Sequence, residues 1–160
     1  RNYVYQRTAS GLKLAEIKRR VNMGYEISWY VPGRVVKAVF SGDINLQEAE
    51  AASELTAQFI QSGEPPLVHL LADTTKLDRF PTNLNLLNRS ASKHLWQPKL
   101  GWTIVISTNS TTRFISGIIT QVARVRFRMF PTYSDGLNFL ADQDATLRDI
   151  IANMSTVTTP

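Results

Sequence analysis

The groups in this chain best suited to acid–base or metal chemistry are two histidines, His69 and His94, and the acid Asp73. A general base needs a neutral imidazole within hydrogen-bond reach of the proton it takes, and a third group to hold the ring. His69 and Asp73 stand four residues apart in Val68-His69-Leu70-Leu71-Ala72-Asp73, and in a strand that spacing puts both on one face. His69 therefore reads in two ways: as a base paired with Asp73, or as a hydrogen-bonded, partly buried structural imidazole, which is the default for a histidine alternating with Val68 and Leu70. His94 falls in another segment, without the spacing of a metal-binding pair. There is no Cys, which excludes a disulfide framework, a redox dithiol and thiolate metal ligands. The chain has no phosphate loop, no dinucleotide glycine fingerprint and no nucleophile elbow. Catalytic residues, metal ligands and cofactors are all expected to be none, and function is expected to rest on binding.

Two polar stretches suit binding. The first follows the apolar run Leu67 to Asp73, which reads as a strand buried on both faces and opening into a loop over Thr74 to Pro81. Partners of helix-covered sheets tend to meet them outside such carboxyl ends. The expected partner-binding or switch surface is therefore Asp73, Thr74, Thr75, Asp78, Thr82 and Asn83. Asp73 and Asp78 flank the loop and could hold a cation, although paired acids in a turn more often organise backbone donors.

The second stretch is Arg124-Val125-Arg126-Phe127-Arg128-Met129-Phe130, the cleanest period-two pattern in the chain. Val125, Phe127 and Met129 face the core, and Arg124, Arg126 and Arg128 share the other face at a spacing of about 7 Å. Such a ladder either grips an anion, in phosphate, an acidic partner or RNA, or cross-pairs with carboxylates on a neighbouring element. Trp29 and Tyr30 give it little aromatic support, so no nucleic-acid partner is expected.

These groups must be carried by about one domain's worth of chain, 160 residues with a net charge of +5. Residues 1–22 hold six basic residues against Glu16 alone, which accounts for the whole net charge, and the remainder balances. The basic character thus belongs to a leader and not to the domain. Leu14, Ile17 and Val21 suit a short basic amphipathic helix there, either a docking element or an ordinary extension. No secretory signal or membrane-length apolar run is evident, and a cytoplasmic location is expected.

Tyr25 to Val31 and Arg34 to Phe40 flank Pro32-Gly33 and predict a hairpin. Asn45 with Glu48 forms a capping-box pattern opening a helix to about Gln61, with Leu46, Ala49, Ala52, Leu55 and Phe59 on one stripe. Helices are predicted from Thr82 to about Ser92 and from about Thr111 to Ala123, on either side of a strand from Gly101 to Ser107. After the arginine strand, Ser134 caps a helix and Asp144 caps a last turn or two carrying Leu147, Ile150 and Ile151. Residues 1–22 are read as an extension, 23–152 as one domain and 153–160 as a polar tail. Strands alternating with about four helices after a hairpin predict one α/β domain with a mixed sheet.

This order is similar to that of the STAS, or SpoIIAA-like, domains of bacteria. The likeness rests on Phe40-Ser41-Gly42-Asp43-Ile44 before a Glu/Ala-rich helix, Val68-x-Leu70-x-x-Asp73, Gly101-Trp102, and Phe130 followed by Gly136-Leu137-Asn138-Phe139-Leu140. The resemblance implies a non-enzymatic regulatory or signalling domain acting through a protein partner, with a homodimer as a further form. Members switched by phosphorylation carry an Asp-Ser-Ser-Gly type motif opening the helix after the central strand. The matching ground here is Arg79-Phe80-Pro81-Thr82-Asn83-Leu84, without a Ser-Gly pair, so Thr82 reads as a helix cap before it reads as a phosphosite. A related Sec14-type branch implies the alternative, a carrier of a small apolar ligand or lipid. Phe114, Ile115, Ile118 and Ile119 would then line an apolar pocket or simply pack the core.

Overall fold

In the computed structural model, residues 24–81, 93–108 and 125–157 are described. Their elements are β1 (Tyr25–Val31), β2 (Val35–Asp43), α1 (Leu46–Ser62), β3 (Val68–Arg79), a 3-10 turn (Lys93–Trp96), β4 (Leu100–Ile106), β5 (Arg126–Phe130), α2 (Tyr133–Gln143) and α3 (Ala145–Val157). The strands form one five-stranded sheet in the order β1-β2-β3-β4-β5. β1 pairs with β2 antiparallel, and every later neighbour is parallel. The mixed α/β architecture with an antiparallel opening is as the sequence predicts. Three α-helices lie among the described residues; the helices predicted at 82–92 and 111–123 lie outside them, as do residues 1–23.

Local chemistry accounts for the elements. Gly33 takes φ +73° at the hairpin turn, a conformation open to glycine at little cost. Asn45 and Glu48 close both halves of the predicted capping box on α1. At the other end, the Lys99 ammonium donates to the carbonyls of Gln61 and Gly63, each at 2.9 Å, in place of a basic residue in the helix itself. α1 buries Ala52 and Ile60 against Ile27, Val36, Ala38, Val68 and Leu70 on one face of the sheet. α2 and α3 bury Leu137, Leu140, Leu147 and Ile151 against Val35, Leu71, Ile104 and Ile106 on the other. β3 is central, with Val68 to Ala72 buried, as its apolar run requires.

Three boundaries differ from the sequence reading. The stretch expected as a loop over Thr74 to Pro81 is strand as far as Arg79, because β2 continues beside it: Ser41 pairs with Lys76, Gly42 with Leu77 and Asp43 with Arg79. Leu77 supplies the apolar contact that holds this extension, packing with Ile44, Ala49 and Phe80. The last helix is thirteen residues long rather than a turn or two, since Met154 extends the Leu147 and Ile151 stripe by three further positions. The cap of α2 is Thr132 rather than Ser134; its hydroxyl accepts from the Asp135 N–H.

Candidate functional site

The carboxyl end of β3 is shaped by a β-bulge. Two steps along β2, from Val39 to Ser41, match three along β3, from Asp73 to Lys76. An extra residue of this kind bends the strand and re-aims its side chains. It turns Thr74 inward, where it is buried and its hydroxyl donates to the Ile106 carbonyl at 3.0 Å. Thr74 is therefore a tie between β3 and β4, not a partner-facing residue. Past it, β3 runs on without β4 and, among the described residues, pairs with β2 alone. Thr75, Lys76, Asp78 and Arg79 are exposed along this arm.

Asp73 stands at the base of the arm. Its Oδ1 accepts from the Thr75 N–H at 2.9 Å and the Thr75 hydroxyl at 2.7 Å, and its Oδ2 accepts from the Tyr133 hydroxyl at 2.6 Å. Burial pulls its pKa upward, but these hydrogen bonds and the charge of Lys37 outweigh burial and hold the carboxyl below its ordinary value. Burial and the adjacent carboxylate raise the Tyr133 hydroxyl well above its ordinary value, so it stays protonated as a donor. The Lys37 ammonium lies 5.3 Å from the Tyr133 ring centre. A carboxylate with three donors and a neighbouring cation is a rigid anchor, poorly suited to taking a proton.

His69 is not part of this group. It lies at the other end of β3, 2% exposed, and its partner is Asp144, not Asp73. The ring nitrogen Nδ1 accepts from the Trp102 N–H at 2.9 Å, so Nε2 carries the proton it donates to Asp144 Oδ2 at 3.1 Å. The same carboxylate oxygen accepts from the Arg34 guanidinium at 2.7 Å. Burial lowers the His69 pKa, and Asp144 only partly offsets it. Both nitrogens are committed, which is the structural imidazole of the sequence reading. His94 Nδ1 lies 2.9 Å from the Ser53 hydroxyl, and burial pushes its pKa down to about 4.

Of the arginine ladder, Arg126 and Arg128 are described, and both are exposed. Arg126 and Arg128 sit on one face of β5, with Phe127 and Met129 packed toward Ala72 and Val105. Neither guanidinium forms a salt bridge with a carboxylate among the described residues. Arg128 instead lies 5.6 Å from the Trp102 ring centre and donates to the Phe127 carbonyl at 3.0 Å. Arg124, the loop residues Thr82 and Asn83, and the pocket candidates Phe114, Ile115, Ile118 and Ile119 lie outside the described residues. Among the described residues, no cluster of three or more His, Asp or Glu is placed to hold a metal, and no helix is long and apolar enough to cross a membrane. Sequence reasoning does not single out Tyr133, Lys37 and Arg34, since their partners lie far away in the chain, and it reads Asp144 only as a helix cap.

No family model matches the chain, and neither does any curated protein. Among solved structures there is a match to an uncharacterized protein of the DUF3478 family with a SpoIIAA-like fold, from Shewanella loihica PV-4. The chain resembles a SpoIIAA-like domain. The identity is 15%, the match covers 72% of this chain and 91% of the other, and the TM-score is 0.49. The likeness is one of fold.

Proposed function

We propose that this chain is a non-enzymatic, cytoplasmic regulatory or signalling module that works by docking a protein partner on the β3 arm. One observation carries this reading: β3 outruns β4 and presents Thr75, Lys76, Asp78 and Arg79 to solvent from a base locked by Asp73, Thr75 and Tyr133. Such an arm offers a partner charges of both signs, Lys76, Asp78 and Arg79, on a strand held by β2, so little order has to be gained on binding. The engagement of His69 supports binding over catalysis, because both nitrogens of that imidazole are committed, one to the Trp102 N–H and one to Asp144.

Photo-crosslinking in the native host tests the reading. A photoreactive residue in place of Lys76 is expected to give a discrete adduct with another protein, whereas the same residue in place of the exposed Gln143 on α2 gives none. The adduct is expected to weaken when Asp78→Lys reverses one charge of the arm. Equal labelling at the two positions, or no adduct from the arm, overturns the proposal.

A further inference from the structure

Among the described residues the sheet ends on β1 and on β5, and these two edges are built differently. On β5, the Ser107 N–H donates to the Phe130 carbonyl at 3.1 Å, which sets the phase of the parallel ladder. Arg126, Arg128 and Phe130 turn their main-chain groups toward β4, and Phe127 and Met129 turn theirs outward. Antiparallel self-pairing about Phe127 or Arg128 would set arginine opposite arginine, and like charges directly opposed are destabilising. The Arg128 guanidinium also occupies the Phe127 carbonyl. Charge and a covered acceptor are the means by which proteins close an edge to further strands.

At Ile27 and Trp29, β1 shows neither device among the described residues. The Ser41 N–H donates to the Gly24 carbonyl at 2.7 Å, and the register pairs Glu26 with Val39 and Ser28 with Lys37. Alternation along an antiparallel ladder then turns the N–H and C=O groups of Ile27 and Trp29 out of the sheet. Among the described residues, no strand pairs with this side. The strand reads Tyr-Glu-Ile-Ser-Trp-Tyr-Val, with one charge, no Pro and no basic residue.

We infer that the β1 edge is the dimer interface of this protein, and that its occupant is a second copy of the same strand, antiparallel about a two-fold axis at Ser28. That register joins the outward main-chain groups of Ile27 to those of Trp29 in the second copy, and the reverse. On one face Ile27 meets Trp29 of the second copy, a β-branched and aromatic pair of the kind that stabilises sheets. On the other face Glu26 meets Tyr30 of the second copy and Ser28 meets its own counterpart. No like charges oppose, so the edge is complementary to itself, as a two-fold contact requires. The two sheets become one, and the β3 arm of each copy stays open to a different partner.

Sedimentation equilibrium of the full chain over a concentration series tests this, with Ser28→Glu and Ser28→Lys as variants. Wild type is expected to dimerise. S28E opposes two carboxylates across the axis and is expected to weaken the dimer by about fivefold or more. Within its own chain the new carboxylate faces Lys37, so the thermal midpoint is expected to hold or rise. Mixing S28E with S28K is expected to give a dimer tighter than that of S28E alone. A wild type that stays monomeric throughout, an S28E dimer as tight as wild type, or a mixture no tighter than S28E alone overturns the inference.

Discussion

Asp144 Oδ2 lies 3.1 Å from His69 Nε2, across 75 residues of sequence. This contact fastens the helical layer to the sheet. Asp144 ends α2, where its N–H donates to the Leu140 carbonyl, and starts α3, where its Oδ1 accepts from the N–H and hydroxyl of Thr146. Its other oxygen meets β3 through His69 and the start of β2 through Arg34, whose Nε also donates to the Leu67 carbonyl. One carboxylate therefore sets where two helices sit.

Removing that carboxylate strips the nearly buried Arg34 guanidinium of its counter-charge, leaving it only the Leu67 carbonyl, and takes the partner of the His69 Nε2–H. Asp144→Ala is expected to cost about 3–5 kcal/mol in urea unfolding, the cost of breaking a buried ion pair plus a helix cap. Adding Arg34→Met to that background is expected to recover part of the loss, since no charge is then stranded. A loss below about 1 kcal/mol for Asp144→Ala alone would show that the network does not hold the helices.

The two histidines set an acid limb. In the fold His69 and His94 both have pKa values lowered from 6.5, so their neutral forms are favoured there relative to the unfolded chain. Their contribution is complete above the unfolded value, and it falls as pH drops from about 6.5 toward the folded values, about 4 for His94. Asp73 and Asp144, held below 3.8, add a second loss beneath that pH. Thermal midpoints measured from pH 8 to 3 should decline in this order, and His94→Gln should flatten the first limb.

Gly101 has no room for a side chain, because a Cβ there would stand 2.7 Å from His69 Cε1 and Nδ1. The ring cannot retreat while Trp102 and Asp144 hold both nitrogens. Gly101→Ala is expected to cost about 1–3 kcal/mol by overpacking, with the Trp102 amide resonance shifting as its acceptor is displaced. An unchanged thermal midpoint would mean that the imidazole moves freely.

Thr103 is 5% exposed, and its hydroxyl lacks a hydrogen-bond partner among the described residues. Val has the same shape without the buried oxygen. Thr103→Val is expected to raise stability by about 1 kcal/mol, read as a higher urea midpoint at unchanged slope.

At the arm, Tyr133→Phe removes one of the three donors to Asp73. The carboxyl pKa, followed by NMR titration, is expected to rise from its lowered value, with the two Thr75 bonds still in place. No movement would place the control of Asp73 in Thr75 and Lys37 alone.

Much of the fold was legible along the chain because the signals that carry it are local. Asn45 and Glu48 cap α1 from three residues apart, and the alternation of Arg126 to Phe130 assigns each side chain to a face without reference to any other strand. Tertiary structure decided what such signals leave open. Whether Thr75 to Arg79 is loop or strand depends on β2 continuing to Asp43 beside it, since a strand exists only through its neighbour. His69 and Asp73 share a face of one strand, yet each found its partner elsewhere, in Asp144 and Tyr133, because α2 and α3 deliver those groups to opposite ends of β3. Spacing fixes the direction a side chain points, but contacts across 60 and 75 residues depend on how the helical layer closes over the sheet.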